Sequence, residues 1–341
     1  MKRSILAAAA AILLSATAAG AADLVRKAPV AAPPPPPPAF DIAFGAGIMT
    51  DYNFRGITQS AHNPSVSMYI EPRYNINPNF QLYVGIGGES ISFPNHAAAE
   101  IDFYGGGRAT FGAFTLDLGV WYYYYPGGTT FNGLGPFFGG GTFSTSTSCT
   151  NGVGVTTPVF GGPFCNVLKG NVSFWEVYAK PSFVVNDMVT VGANLFYSPS
   201  WLNSGASGTY GSVTAKLTAP GTMLPKGWGA YASGELGYYW FGTTDSFYCT
   251  VACPAGIKYP NYATWNLGIG VTYGPFTLDG RYYSTNLSTD NCNVLTGDQG
   301  ASFTGGGAIT PNNPSGLTSN WCGNVFIGKL SVDTTLNALK Q

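Results

Sequence analysis

From residue 42 to the C-terminal end, apolar and polar side chains alternate in short stretches, and every charge within those stretches falls on the polar parity. The stretches are 42–55, 65–76, 80–91, 100–111, 114–125, 171–185, 188–198, 209–219, 228–242, 262–273, 276–287 and 324–336. A period of two is what a strand with two unlike faces requires, because successive side chains point to opposite sides. In 65–76, Val66, Met68, Ile70, Pro72, Tyr74 and Ile76 share one side, and Ser67, Tyr69, Glu71, Arg73 and Asn75 the other. In 171–185, Trp175, Val177, Ala179, Pro181, Phe183 and Val185 oppose Glu176, Tyr178, Lys180 and Ser182. The charges concerned are Asp51, Arg55, Glu71, Arg73, Glu89, Glu100, Asp102, Arg108, Asp117, Glu176, Lys180, Lys216, Glu235, Asp279, Arg281, Lys329 and Asp333. One face is thus kept free of charge throughout. A charge on a lipid-facing strand costs about 2–4 kcal/mol at mid-depth, which supplies a reason.

The connections alternate as well. Asn77-Pro78-Asn79, Gly112-Ala113, Asn186-Asp187, 220–227 and Gly274-Pro275 are short; 56–64, 92–99, 126–170, 199–208, 243–261 and 288–323 are longer. Tight turns at one end and long loops at the other describe an outer-membrane barrel. No stretch after residue 22 holds the roughly 18 consecutive apolar residues of a membrane helix, so a membrane would have to be crossed by strands. Only 9% of the chain is charged, against about 25% in soluble domains. A soluble β-sandwich shows parity too, but neither the loop alternation nor the scarcity of charge follows from it. The predicted fold is all-β: a transmembrane antiparallel up-and-down β-barrel of outer-membrane type, of about twelve strands.

The first residues read as a secretory signal peptide (1–21). Lys2 and Arg3 precede the apolar run Ile5–Leu14, and Ala19-Gly20-Ala21 supplies an A-x-A cleavage site, with cleavage expected after Ala21. Residues 22–39 form a Pro-rich periplasmic linker ending in Pro33–Pro38, an extended spacer that builds no core. Residues 40–341 are then one barrel domain. Its six cysteines, Cys149, Cys165, Cys249, Cys253, Cys292 and Cys322, lie two to a long loop. Beyond an export signal they read as disulfides; the economical pairing is 149–165, 249–253 and 292–322, with cross-loop pairings open. The two histidines, His62 and His96, stand far from them, so no metal and no cofactor is expected.

Asp51-Tyr52-Asn53-Phe54-Arg55-Gly56-Ile57-Thr58-Gln59-Ser60 resembles the opening signature of the TorF family of porins. Gly119-Val120-Trp121-Tyr122-Tyr123-Tyr124-Tyr125-Pro126-Gly127 and Phe174-Trp175-Glu176-Val177-Tyr178 are similar to later blocks of that family. Ala22-Asp23-Leu24-Val25-Arg26-Lys27-Ala28-Pro29 is similar to the mature N-terminus of small outer-membrane proteins of alpha-proteobacteria. The resemblance implies a porin-like barrel in the bacterial outer membrane and brings no catalytic residue, so no enzyme is expected.

The expected activity is passive diffusion of small hydrophilic solutes or ions. All the charges named above except Lys216 and Asp333 are expected to line the pore. Ten acids against seven bases predict a weak cation preference, with Arg55, Arg73, Arg108 and Arg281 as a basic ladder facing carboxylates. The alternative is a structural or surface-recognition barrel working through disulfide-clipped loops over a closed lumen. Expected partners are outer-membrane lipid and the barrel assembly machinery; a homo-oligomer is compatible. There is no basic run to bind nucleic acid, and no phosphate-binding loop or dinucleotide fingerprint.

Overall fold

The computed structural model describes residues 38–134, 165–248, 256–302, 310, 312–313 and 315–340. The expected signal peptide, nearly all of the linker, and Cys149, Cys249 and Cys253 lie outside the described residues. Twelve strands pair in chain order and close on themselves. They are β1 (Phe40–Met49), β2 (Ser65–Asn77), β3 (Phe80–Glu89), β4 (Glu100–Phe111), β5 (Phe114–Tyr124), β6 (Phe174–Val184), β7 (Val189–Ser198), β8 (Gly208–Thr218), β9 (Trp228–Phe241), β10 (Tyr262–Tyr273), β11 (Phe276–Thr285) and β12 (Val325–Thr335). The closing pair is β1 with β12, antiparallel, running from Ala43 opposite Thr335 to Met49 opposite Lys329. Closure leaves no unpaired strand edge, which a lipid environment requires.

The wall follows the parity of the sequence. Val66, Met68, Ile70, Leu82, Val84, Leu118, Val120, Val213, Leu267, Ile269, Leu278 and Phe326 are exposed on the outside. Phe80, Phe111, Trp228, Tyr273 and Phe276 form one aromatic girdle at the short-turn end, where Phe80 meets Phe111 at 5.5 Å and Trp228 meets Tyr273 at 5.1 Å. Tyr122, Tyr124, Trp175, Tyr197, Tyr238 and Trp240 supply the other. Such belts sit at the two membrane–water interfaces. Gly274, at φ +55°, makes the left-handed turn of the two-residue link between β10 and β11.

Leu267 is the sharpest probe of this wall, since it is 65% exposed in the middle of β10. Leu267→Arg is expected to destabilise the protein folded in lipid vesicles by about 2–4 kcal/mol. Denaturant titration of refolded protein measures it, and a change near zero would remove Leu267 from hydrocarbon.

One boundary differs from expectation. The first strand ends at Met49, not at 55, so Asp51 and Arg55 are not wall residues. The chain turns inward after Met49, and its polar parity persists because the segment still faces a polar interior.

Candidate functional site

The inward turn begins at Asp51, which is buried. Its Oδ1 accepts hydrogen bonds from Thr58 Oγ1 (2.5 Å) and Ser60 Oγ (2.9 Å), clamping the two ends of a small hairpin. Within it, Asn53–Phe54 pairs with Ile57–Thr58. The tip takes left-handed backbone at Arg55 (φ +49°) and Gly56 (φ +89°). Glycine is required at 56 for space as well as for conformation. A Cβ there would lie 2.3 Å from Thr285 Cγ2 on β11 and 2.6 Å from Thr264 Oγ1 on β10.

Arg55 is the anchor. Its guanidinium makes a two-pronged pair with Glu176 on β6, NH1 to Oε1 at 2.8 Å and NH2 to Oε2 at 2.7 Å, and NH1 also donates to Tyr239 Oη on β9 at 2.8 Å. Phe54, Phe196 and Tyr210 each present a ring 4.5 Å from Arg55 Cζ, and Tyr239 one at 5.0 Å. Tyr262 Oη donates to the Arg55 carbonyl at 2.9 Å. Glu176 has 0% exposed side-chain surface and Arg55 7%. A fork-shaped cation with delocalised charge suits such a caged, bidentate position, and lysine would not replace it. The hairpin therefore crosses the lumen from the β1–β2 side to β6–β10. The sequence shows Arg55 and Glu176 as charges but not as partners, since they lie 121 residues apart.

Above the hairpin, the long-loop end is packed with apolar side chains. Ile57, Phe93, Phe131, Leu168, Trp201, Tyr248, Tyr259 and Leu295 belong to one buried cluster with Tyr239 and Phe241 of β9. Helix α1 (Thr289–Thr296) is part of this roof, and the Cys292–Cys322 disulfide ties it to the approach to β12. This is the expected 292–322 pairing.

His62 fixes the hairpin base to that roof. Its Nδ1 meets Asp51 Oδ2 at 2.8 Å and its Nε2 the Asn320 carbonyl at 3.0 Å. Both partners only accept, so the imidazolium, with two donors, fits the position. The bond to Asp51 foremost raises the His62 pKa above its ordinary value. A raised pKa stabilises the fold most fully below the unfolded value of about 6.5 and is lost as pH rises through the folded value. Amide exchange at Ser60–Asn63 is thus expected to be slower in the wild type than in His62→Gln at low pH. The difference should shrink as pH rises above neutrality; a difference independent of pH would contradict it.

Below the hairpin, charges line the wall in separate groups. Arg73 Nε donates to Glu71 Oε1 at 2.6 Å, and Arg108 joins Glu71 (NH1 to Oε1, 3.0 Å) to Asp117 (Nε to Oδ2, 3.2 Å). Lys180 Nζ lies 3.6 Å from the same Asp117 oxygen. Arg281 pairs with Asp279 on its own strand (NH2 to Oδ2, 3.0 Å), while Glu235 accepts from Tyr210 at 2.8 Å. Lys216 stands 4.5 Å over the Tyr231 ring, and Asp333 accepts from Tyr69 at 3.2 Å. The four arginines therefore form no continuous ladder: Arg55 is caged in the hairpin, Arg73 and Arg108 share Glu71, and Arg281 stays with Asp279. For Arg73, Arg108 and Arg281, carboxylates on the same strand or within two strands satisfy the guanidinium before any carboxylate across the lumen can; only Arg55, carried inward by the hairpin, reaches across.

Two cavities among the described residues are lined by these charges. One of about 390 Å³ lies against the hairpin tip and is lined by Arg55, Tyr210, Glu235 and Asn266 among others. The second, of about 320 Å³, is lined by Glu71, Arg73, Lys329 and Asp333 among others. Glu89, Asp102 and Trp121 line both.

A family profile described as a bacterial protein of unknown function (Gcw_chp) matches residues 34–158, a stretch that contains the hairpin motif. No curated protein matches. Among solved structures, an outer membrane channel from Pseudomonas putida F1 is similar at 8% identity over 88% of this chain and 96% of that one (TM-score 0.39). A Pseudomonas aeruginosa FadL homologue is similar at 11% identity over 87% and 89% (TM-score 0.39). LpxR from Salmonella typhimurium is similar at 9% over 85% and 99% (TM-score 0.34).

Proposed function

We propose that the chain is an outer-membrane channel for passive diffusion of small hydrophilic solutes or ions, with the Asp51–Ser60 hairpin as its constriction. The observation that carries this reading is the interior: a closed wall, charged on its inner face, encloses cavities of about 320 and 390 Å³ beside a polar hairpin. A barrel whose only task was to hold loops would be expected to fill that space with packed side chains. The resemblance of the hairpin to the TorF signature supports the same reading. The fifteen expected pore-lining residues are proposed to act as two sets. Arg55 and Glu176 set the constriction, and the remaining charges set the potential around it.

The weak cation preference is part of this proposal. Most luminal charges are paired, whereas Glu89, Glu100, Asp102, Glu235 and Asp333 have no Lys or Arg within 4.0 Å among the described residues, against only Lys216 and Lys329 without a carboxylate. Unpaired acids leave a net negative potential, which favours cations. In planar bilayers the refolded protein is expected to give discrete conductance steps, with a reversal potential in a KCl gradient on the cation-selective side. A folded but silent protein would sink the channel and favour the alternative of a surface-recognition barrel. The apolar roof at the long-loop end is the observation on that side. Export is tested separately: the mature protein is expected to begin at Ala22.

A further inference from the structure

We infer that Glu89, Glu100 and Asp102 form a divalent-cation site inside the barrel, of a kind that suits calcium. Glu89 and Glu100 are directly opposite one another across β3 and β4, and Asp102 follows two residues along on the same inward face. Like charges placed directly opposite on paired strands destabilise a sheet. Here three such groups converge, with one carboxylate oxygen from each lying within 4.8 Å of the others. Glu100 and Asp102 are only 2% and 5% exposed.

A second observation separates this cluster from an ordinary acidic patch. Among the described residues Glu89 Oε2 and Asp102 Oδ1 are buried and accept no hydrogen bond of ordinary geometry, although the Trp121 indole N–H, likewise unsatisfied, stands beside Asp102. A buried oxygen of this kind costs free energy unless something meets it. Glu100, by contrast, is held from outside the cluster: Tyr52 Oη donates to its Oε1 at 2.6 Å and Tyr125 Oη to its Oε2 at 2.7 Å. Donors that orient a ligating carboxylate are what metal sites use around their ligands. Access is provided as well, because both luminal cavities touch Glu89 and Asp102.

The donor set selects the ion. Carboxylate oxygens alone suit calcium, magnesium and manganese over zinc or copper. Calcium bonds of about 2.3–2.6 Å place opposed oxygens up to about 5 Å apart, and magnesium bonds of about 2.1 Å only about 4.2 Å apart. Oxygens within 4.8 Å of one another lie inside the span that calcium bonds reach, and the roughly 6–8-fold, flexible shell of calcium tolerates a donor set completed by water. Water from the cavities completes the shell. Tyr52 lies in the inward segment that carries Arg55, so the ion would stiffen the root of the hairpin through Glu100.

The inference does not depend on conduction, and its test reads binding alone. Full-length protein is refolded in detergent, stripped with chelator, and titrated with calcium chloride in a calorimeter. One saturable site per chain is expected, with terbium bound at the same place and displaced by calcium. Asp102→Asn is expected to weaken calcium by roughly tenfold or more, at least what loss of a group that merely orients a ligand costs. Heat-modifiable migration on unboiled gels verifies that the variant is folded. No saturable calcium binding by the wild type would overturn the site. Unchanged affinity in folded Asp102→Asn would overturn it too. Should that variant not fold, the wild-type titration still decides.

Discussion

Arg55→Ala is expected to raise single-channel conductance several-fold and, in the same protein, to lower stability by about 3–5 kcal/mol. The second figure is the usual cost of leaving one partner of a buried ion pair alone. Glu176 would keep hydrogen bonds from Tyr123 at 3.1 Å and Tyr239 at 3.3 Å, which places the loss toward the lower end. The conductance change has a different origin. Removing the guanidinium abolishes the bidentate pair, the Tyr239 bond and the four ring contacts together. Nothing comparable then fastens the tip to the far wall. The two effects separate in Arg55→Ala/Glu176→Gln, where no unpaired buried charge remains. Stability should recover in denaturant titration while conductance stays high. A double variant that recovers stability and conducts like the wild type would show that the hairpin is no constriction.

Gly56→Val reaches the same end without touching a charge. Valine at φ +89° adopts a backbone conformation that is costly for a β-branched residue. Its Cβ would also be driven into Thr285 and Thr264. No rotamer avoids this, because the clash begins at Cβ. The expected result is a hairpin that no longer seats, at a cost of several kcal/mol, with conductance raised as in Arg55→Ala. Because Arg55 remains, cation selectivity should fall relative to that variant as its positive charge moves into the open lumen. Reversal potentials of the two proteins, measured side by side, check it; equal selectivity would mean that Arg55 stays caged despite the displaced tip.

The wall was legible because one physical rule applies along its whole length. Lipid outside and polar contents inside force period two on each strand, so 65–76, 100–111 and 262–273 match β2, β4 and β10 to within a residue. The rule misleads where something polar lies inside the wall. Asp51, Asn53 and Arg55 keep the inward parity after leaving it, and the first strand was therefore read six residues too long. Cys292 and Cys322 were legible as partners because both fall in one long connection. The cage around Arg55 was not: Phe196, Tyr210 and Tyr239 look like any inward aromatics until closure brings β7, β8 and β9 across from the hairpin. The acidic cluster is intermediate. Its residues are plain in the sequence, but their opposition depends on the pairing register between β3 and β4, which the intervening loop does not disclose.

The hairpin also sets an order of events during assembly. It leaves the wall directly after β1, yet the groups that hold its tip lie 121 residues on at Glu176, 184 at Tyr239 and 207 at Tyr262. Contacts so distant along the chain cannot reward their loop-closure cost until the intervening strands are paired. The tip must therefore wait, unanchored, while most of the cylinder is built, and its docking is a late step that reports a finished wall. A chain with a strand missing from the β6–β10 half would lack the receptor for Arg55, so a segment synthesised early is seated late.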